Sequence, residues 1–143
     1  MTETTMRSLP RLIAVSLLVG CSQPALPEGE RIDGIDWILT DVNGLPWTQD
    51  VSLRLEPDRL TGVAPCNAYS ARRMGTAPAF GASAISSTEL ACADPSRVRA
   101  EAEFLAMLPR VTAIRRDHGQ LVLSGPGLMM VFDKREARGN EVF

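Results

Sequence analysis

The chain has little of what common catalytic centres require. It has one histidine, His118, in 143 residues. A Ser-His-Asp set therefore has a single choice of base. A zinc site needs about four ligands, and beyond the cysteines only His118 is a strong candidate. No Gly-rich phosphate loop occurs, and "GPG" at Gly125–Gly127 is too short to cradle a nucleotide. No acidic pair stands in a context marked for general acid and base work. Charge of one sign is scarce too: the formal net charge is −2, with no basic patch for nucleic acid. Fourteen of the fifteen basic residues are arginine, which reads as a GC-rich coding bias rather than a phosphate site. Cysteines number three: Cys21, Cys66 and Cys92.

No apolar run approaches the roughly 20 residues of a transmembrane helix. The short run that does exist, Leu12 to Val19, follows Arg7 and Arg11 and precedes small residues and Cys21. That is the order of a secretory signal. "LVGC" at Leu18–Cys21 resembles the bacterial lipobox, in which cleavage before the cysteine accompanies its lipidation. The bland alternative is an ordinary cleaved signal beside a free thiol. Lipidation implies a partner, the bilayer, held through acyl chains on Cys21. Ser22, where an aspartate would mark inner-membrane retention, implies the outer membrane with the domain in the periplasm. Cleavage removes Glu3, Arg7 and Arg11 and leaves 16 acidic and 13 basic side chains.

The expected organisation is a signal at 1–20, a lipidated cysteine and tether at 21–33, one domain at 34–133 and a flexible tail at 134–143. "SQPALPEGERID" carries two prolines and mixed charge, as an extended tether does. "VSLRLE" alternates Val51, Leu53 and Leu55 against Ser52, Arg54 and Glu56, the period of a half-buried strand. "WILTDV" precedes it and "RLTGVA" follows it across a "PD" turn. "NAYSARR" and "ISST" are weaker strand candidates. "TAIRR", "QLVLS" and "LMMVFD", split by "DHG" and "GPG", predict a closing meander. One helix follows Asp94 as N-cap and Pro95 at the first position, and ends at Pro109. Its expected apolar face is Val98, Ala102, Leu105 and Leu108, with Phe104 beside it. The predicted class is α+β: a curved antiparallel sheet of about eight strands wrapped around one amphipathic helix.

If Cys21 is lipidated, Cys66 and Cys92 remain as an even pair in an exported domain. The simplest reading is a disulfide. Closing 26 residues would contribute about 3.5 kcal/mol by chain-entropy reasoning. A metal site or an activated thiol stay as alternatives, each short of partners.

Five segments, in order, resemble the META domain family, also called HslJ-like. "GIDWILTDVNGLPW" is similar to its opening strand and turn, and "LEPDRLTGVAPCNAY" to its Cys-Asn-x-Tyr signature. "ISSTELAC" is similar to its Thr-x-x-Ala-Cys segment, "VRAEAEFLAML" to its helix and "LVLSGPGLMMVFD" to its last hairpin. The resemblance covers about Asp33 to Asp133. It implies a disulfide between Cys66 and Cys92, and it singles out Asn67, Tyr69, Thr88 and Glu101. Two positions depart from the pattern: Pro65 and Ala71 stand where the family prefers glycine. Pro65 fixes φ and removes a donor, which implies a stiffer signature loop.

Each singled-out residue has a plain role and a sharper one. Asn67 reads as a turn residue in the left-handed region or bonded to its own backbone, against an amide aimed into a pocket. Tyr69 reads as core with a satisfied hydroxyl, against a ligand platform. Glu101 reads as a partner for backbone or arginine near Thr88, against a buried proton donor. Arg72, Arg73, Arg115 and Arg116 read as solvated strand ends, and one indole of Trp37 or Trp47 as an exposed anchor. The resemblance implies a non-enzymatic envelope lipoprotein, a binding or structural module tied to envelope stress. The alternative is an inhibitor or assembly helper for a secreted hydrolase or secretion pore. No catalytic residue, cofactor, metal or nucleic-acid partner is expected. A partner protein in the envelope is.

Overall fold

Alternation along "SLRL" puts Leu53 and Leu55 fully inside and leaves Arg54 in solvent. The same two-residue period recurs along "LMMVFDK", where Leu128, Met130 and Phe132 are buried. Nine strands follow from such patterns in the computed structural model, which describes residues 31–136. They are β1 Asp36–Val42, β2 Leu45–Pro46, β3 Ser52–Leu55, β4 Arg59–Val63, β5 Ala68–Met74, β6 Gly81–Ser87, β7 Ala113–Asp117, β8 Gln120–Gly125 and β9 Leu128–Lys134. One helix, α1 Pro95–Met107, continues into a 3-10 turn at Leu108–Arg110.

All pairings are antiparallel, in the order β6-β5-β4-β3-β1-β9-β8-β7, with β2 attached to β1. Register shifts at Leu39/Asp41 and at Ser70/Arg72 curve the sheet. Its two edges approach at a bridge between Ala79 and Ala113, where the Phe80 N–H donates to the Thr112 carbonyl at 3.0 Å. The ladder does not otherwise close. The expected curved antiparallel sheet with one helix is thus the observed architecture, with the two-residue β2 as a ninth strand.

Antiparallel order puts the β4–β5 and β8–β9 turns and the end of β1 at one end of the sheet. The helix spans that end. It starts beside Cys92, and its 3-10 extension closes on β8, where a Cβ on Gly125 would lie 2.0 Å from the Arg110 carbonyl oxygen. The opposite end receives the chain. There Arg73 pairs with Asp33 and donates to the Glu56 carbonyl, and Arg116 donates to the Arg31 carbonyl. Arg116 also lies 5.1 Å over the Trp37 ring, whose indole N–H donates to the Ile32 carbonyl. Two of the four arginines expected in solvent, Arg73 and Arg116, are therefore fasteners of the entering strand.

The buried face of α1 also differs from expectation. Glu101, Phe104, Met107 and Leu108 face inward; Val98 is 48% exposed and Ala102 is exposed, with Leu105 half-buried. Glu101, three residues after Val98 and expected near the apolar face, is itself buried. Trp37 is wholly buried and Trp47 half-buried, so neither indole stands free as an anchor. Lys134, expected in the tail, ends β9, and the Arg135 N–H still donates to Asp36. The expected signal, Cys21 and the tail beyond Glu136 lie outside the described residues, as does the tether up to Glu30.

Candidate functional site

The four signature positions meet at the helix-spanned end. The β4–β5 turn runs through Ala64–Asn67, closed by an Ala64 N–H bond to the Asn67 carbonyl. Its next two amides, Cys66 N–H and Asn67 N–H, both donate to Oε2 of Glu101 at 2.7 Å. Asn67 Nδ2 donates to Oε1 at 2.6 Å. Asn67 Oδ1 then accepts from Thr88 Oγ1 at 2.9 Å and from the Leu90 N–H at 2.7 Å. Asn67 thus ties three segments together: its own turn, helix α1 and the loop after β6. It is not a left-handed turn residue, and its amide is not free for a ligand.

Cys66 and Cys92 form a disulfide across the same two loops, with Cα atoms 5.8 Å apart. Arg97, one helical turn before Glu101, donates to the Pro65 carbonyl. Proline at position 65 leaves this arrangement intact, because the amides that carry Glu101 belong to Cys66 and Asn67. Burial pushes the Glu101 carboxyl upward. The Asn67 amide, the Cys66 and Asn67 N–H groups and the Arg97 charge outweigh it, and the net shift is downward. An ionised carboxylate with three donors is an acceptor hub rather than a proton donor at neutral pH.

Tyr69 comes off β5 next to this hub. Its hydroxyl donates to the Ser52 carbonyl at 2.8 Å, and its ring meets Phe104 edge-on at 5.2 Å. Burial raises its pKa far beyond the ordinary phenol range. The ring crosses β4 at Gly62, where a Cβ would lie 2.0 Å from the Ser52 oxygen and 2.8 Å from the Tyr69 ring. That close crossing explains the glycine of "LTGVAPCNAY". Ala71, the other departure, is buried opposite Leu60. His118 is an exposed turn residue at φ 47°, 2.6 Å from Asp117.

The sequence reading missed the roles of Arg97 and Ser52. Arg97 had a usable signal, its i,i+4 spacing to Glu101 on a helix. Ser52 acts through its backbone oxygen, which carries no side-chain signature. Two grooves open near the outer sheet face. One of 650 Å³ is bounded by Ile38, Asp50, Ser52, Val63, Arg135 and Glu136. The other, of 300 Å³, lies beside Tyr69 and Thr88 between serines 70, 86 and 87. Neither gathers titratable groups around a reactive centre.

A family model described as META domain matches residues 30–137, which includes every element above. The chain belongs to the META domain family. Its fold recurs in solved structures. A protein from Burkholderia xenovorans, determined by NMR, superposes with a TM-score of 0.60 at 18% identity, covering 81% of this chain and 96% of that one. A DUF4847 family protein from Bacteroides vulgatus ATCC 8482 gives 0.53 at 13% identity, covering 74% and 96%. Identities this low speak for the shared fold alone. Among curated proteins none matches. This META domain thus joins Glu101, Asn67 and Thr88 in one hydrogen-bonded clamp beside a disulfide, with Tyr69 packed next to it.

Proposed function

We propose that this META domain is a non-enzymatic binding module of the bacterial envelope, anchored through a lipidated Cys21 and serving under envelope stress. The observation that carries the non-enzymatic part is the state of the signature residues. Glu101 is ionised and saturated by donors, Asn67 is bonded at both ends of its amide, and both signature cysteines are joined. Chemistry at such a site would first have to break the bonds that hold two loops and the helix together. The anchored part is supported by the order of basic, apolar and small residues before Cys21. No helix among the described residues is long and apolar enough to cross a membrane. Ser22 favours the outer membrane, with the domain in the periplasm.

The test is the intact mass of the protein extracted from its own envelope without reductant. Acyl mass on the chain beginning at Cys21, with two hydrogens fewer than the reduced value, is the expected result. An unacylated chain would remove the anchor. Two free thiols would reopen Cys66 and Cys92 as a reactive pair.

A further inference from the structure

Asn43 and Gly44 are the two-residue loop of the β1–β2 hairpin, between the paired Val42 and Leu45. Both have positive φ, 54° and 81°, as the central residues of a type I′ turn do. The chain has three asparagines, and Asn43 alone precedes a glycine. Glycine has no Cβ to shield its amide nitrogen. That nitrogen can therefore close a five-membered ring on the carbonyl carbon of a preceding asparagine side chain. Both residues are exposed, so water has access to them.

In the folded domain both partners of that reaction are engaged elsewhere. The Gly44 N–H donates to Asp41 Oδ1 at 2.7 Å. Asn43 Nδ2 donates to the Gly127 carbonyl at 3.3 Å, and Asn43 Oδ1 accepts from the Met129 N–H at 2.7 Å. The Asn43 N–H also donates to the Met129 carbonyl, at 2.8 Å. Asn43 thus latches the β1–β2 turn onto the β8–β9 turn, with its side-chain amide bonded at both ends.

We propose that Asn43 is a deamidation site gated by this latch. While the latch is closed, nucleophile and electrophile are each held by other groups. When the two turns part, the Gly44 amide nitrogen gives up its proton and attacks Cγ of Asn43. The bond from Cγ to Nδ2 breaks, and Nδ2 leaves as ammonia with that proton. A succinimide ring remains. Water then opens it at either carbonyl and yields aspartate or isoaspartate at position 43. Neither an enzyme nor a redox partner takes part. Neither product rebuilds the latch. Aspartate keeps an acceptor for the Met129 N–H but loses the donor to Gly127 and sets a negative charge against that carbonyl. Isoaspartate adds a methylene to the main chain, which the two-residue turn between Val42 and Leu45 does not accommodate. Conversion is therefore one-way, and it alters the surface that carries Leu45, 71% exposed, and Met129, 39% exposed. The proposal is independent of the lipid anchor and of the binding-module reading.

The test is incubation of the intact folded protein at pH 7, with digestion at intervals and the mass of the fragment containing Asn43 as readout. Amide-to-acid conversion changes that mass, whereas isomerisation at Asp33–Gly34 does not. The synthetic peptide Leu-Thr-Asp-Val-Asn-Gly-Leu-Pro-Trp, residues 39–47, gives the rate without the latch. The folded protein is expected to convert about tenfold more slowly, because hydrogen bonds on both reacting groups must open first. Asp41→Ala frees the Gly44 N–H and leaves Asn43 in place. It should raise the folded rate about threefold and leave the rate in urea unchanged. Asp41→Asn, which keeps an acceptor, should fall between that variant and the wild type. Three results overturn the proposal: folded and peptide rates that coincide, a folded rate unmoved or slowed by Asp41→Ala, and no conversion at all in the folded protein.

Discussion

Replacing Glu101 by glutamine keeps the size of the side chain and removes its charge. The three donors that converge on the carboxylate then face an amide, and at least one of them meets an NH2 group. Leaving one such donor unsatisfied costs about 1–3 kcal/mol, so urea unfolding of Glu101→Gln at pH 7 should show that loss. The pH dependence carries a second signature. The folded carboxyl lies below the ordinary glutamate value, so its contribution is fully present above the unfolded value of about 4.3. It is lost as pH falls through the lowered folded value. The wild type should therefore shed stability in that acid window, and the variant should lack that part of the loss. Gly62→Ala tests the neighbouring crossing. Its Cβ has no room under Tyr69 and Ser52, and overpacking of this kind costs about 1–3 kcal/mol. Tyr69→Phe, which keeps the Phe104 contact and drops one bond, should cost less, about 1 kcal/mol. Thermal midpoints of the two variants, taken side by side, decide the order.

Helix α1 shows where apolar period stops being a sufficient guide to an element. Counting only apolar residues selects Val98, Ala102, Leu105 and Leu108; the fold turns the helix so that Glu101 and Phe104 point in. The reason is non-local. The carboxylate must meet amides 34 and 35 positions earlier in the chain, and the sequence of the helix alone does not contain those amides. Phe104→Ala should accordingly cost about 3–5 kcal/mol, whereas Val98→Ser should stay within about 0.5 kcal/mol. Chemical denaturation of both variants checks the orientation, since an inward Val98 would raise its loss well above that bound. The strands were more legible. Alternation in "SLRL" and the turn residues around "DHG" and "GPG" act over two to six residues, so they can be read locally. β2 has two residues and no period to read. The charges of Arg73 and Arg116 give no hint that a carboxylate, a carbonyl or an indole will arrive from 40 to 85 positions away. Asn67 and Tyr69 were picked out through family resemblance; their partners came from the fold.

At the scale of the whole molecule the two ends of the sheet are held by different means. The end where the chain enters is fastened by Arg73 on Asp33 and by Arg116 on the Arg31 carbonyl. The far end is fastened by the Glu101–Asn67–Thr88 clamp and by Cys66–Cys92. The disulfide closes 26 residues of chain that contain β5 and β6. Its removal therefore enlarges the unfolded ensemble by about 3.5 kcal/mol, while the clamp continues to hold the same loops in the folded state. The double variant Cys66→Ser, Cys92→Ser should lose about that amount in urea, yet keep its strand signal and a cooperative transition. Adding Asn67→Ala to it removes the side-chain amide that links the β4–β5 turn, the loop after β6 and α1, and leaves between turn and helix only the two backbone bonds to Glu101 and the Arg97 bond to the Pro65 carbonyl. Hydrogen exchange should then open those three segments selectively, with β8 and β9 still protected, because the β1–β9–β8–β7 half of the sheet does not depend on that end for its pairing. Uniform opening of both halves would mean that the sheet melts as one unit and that the clamp serves the whole fold rather than one end of it.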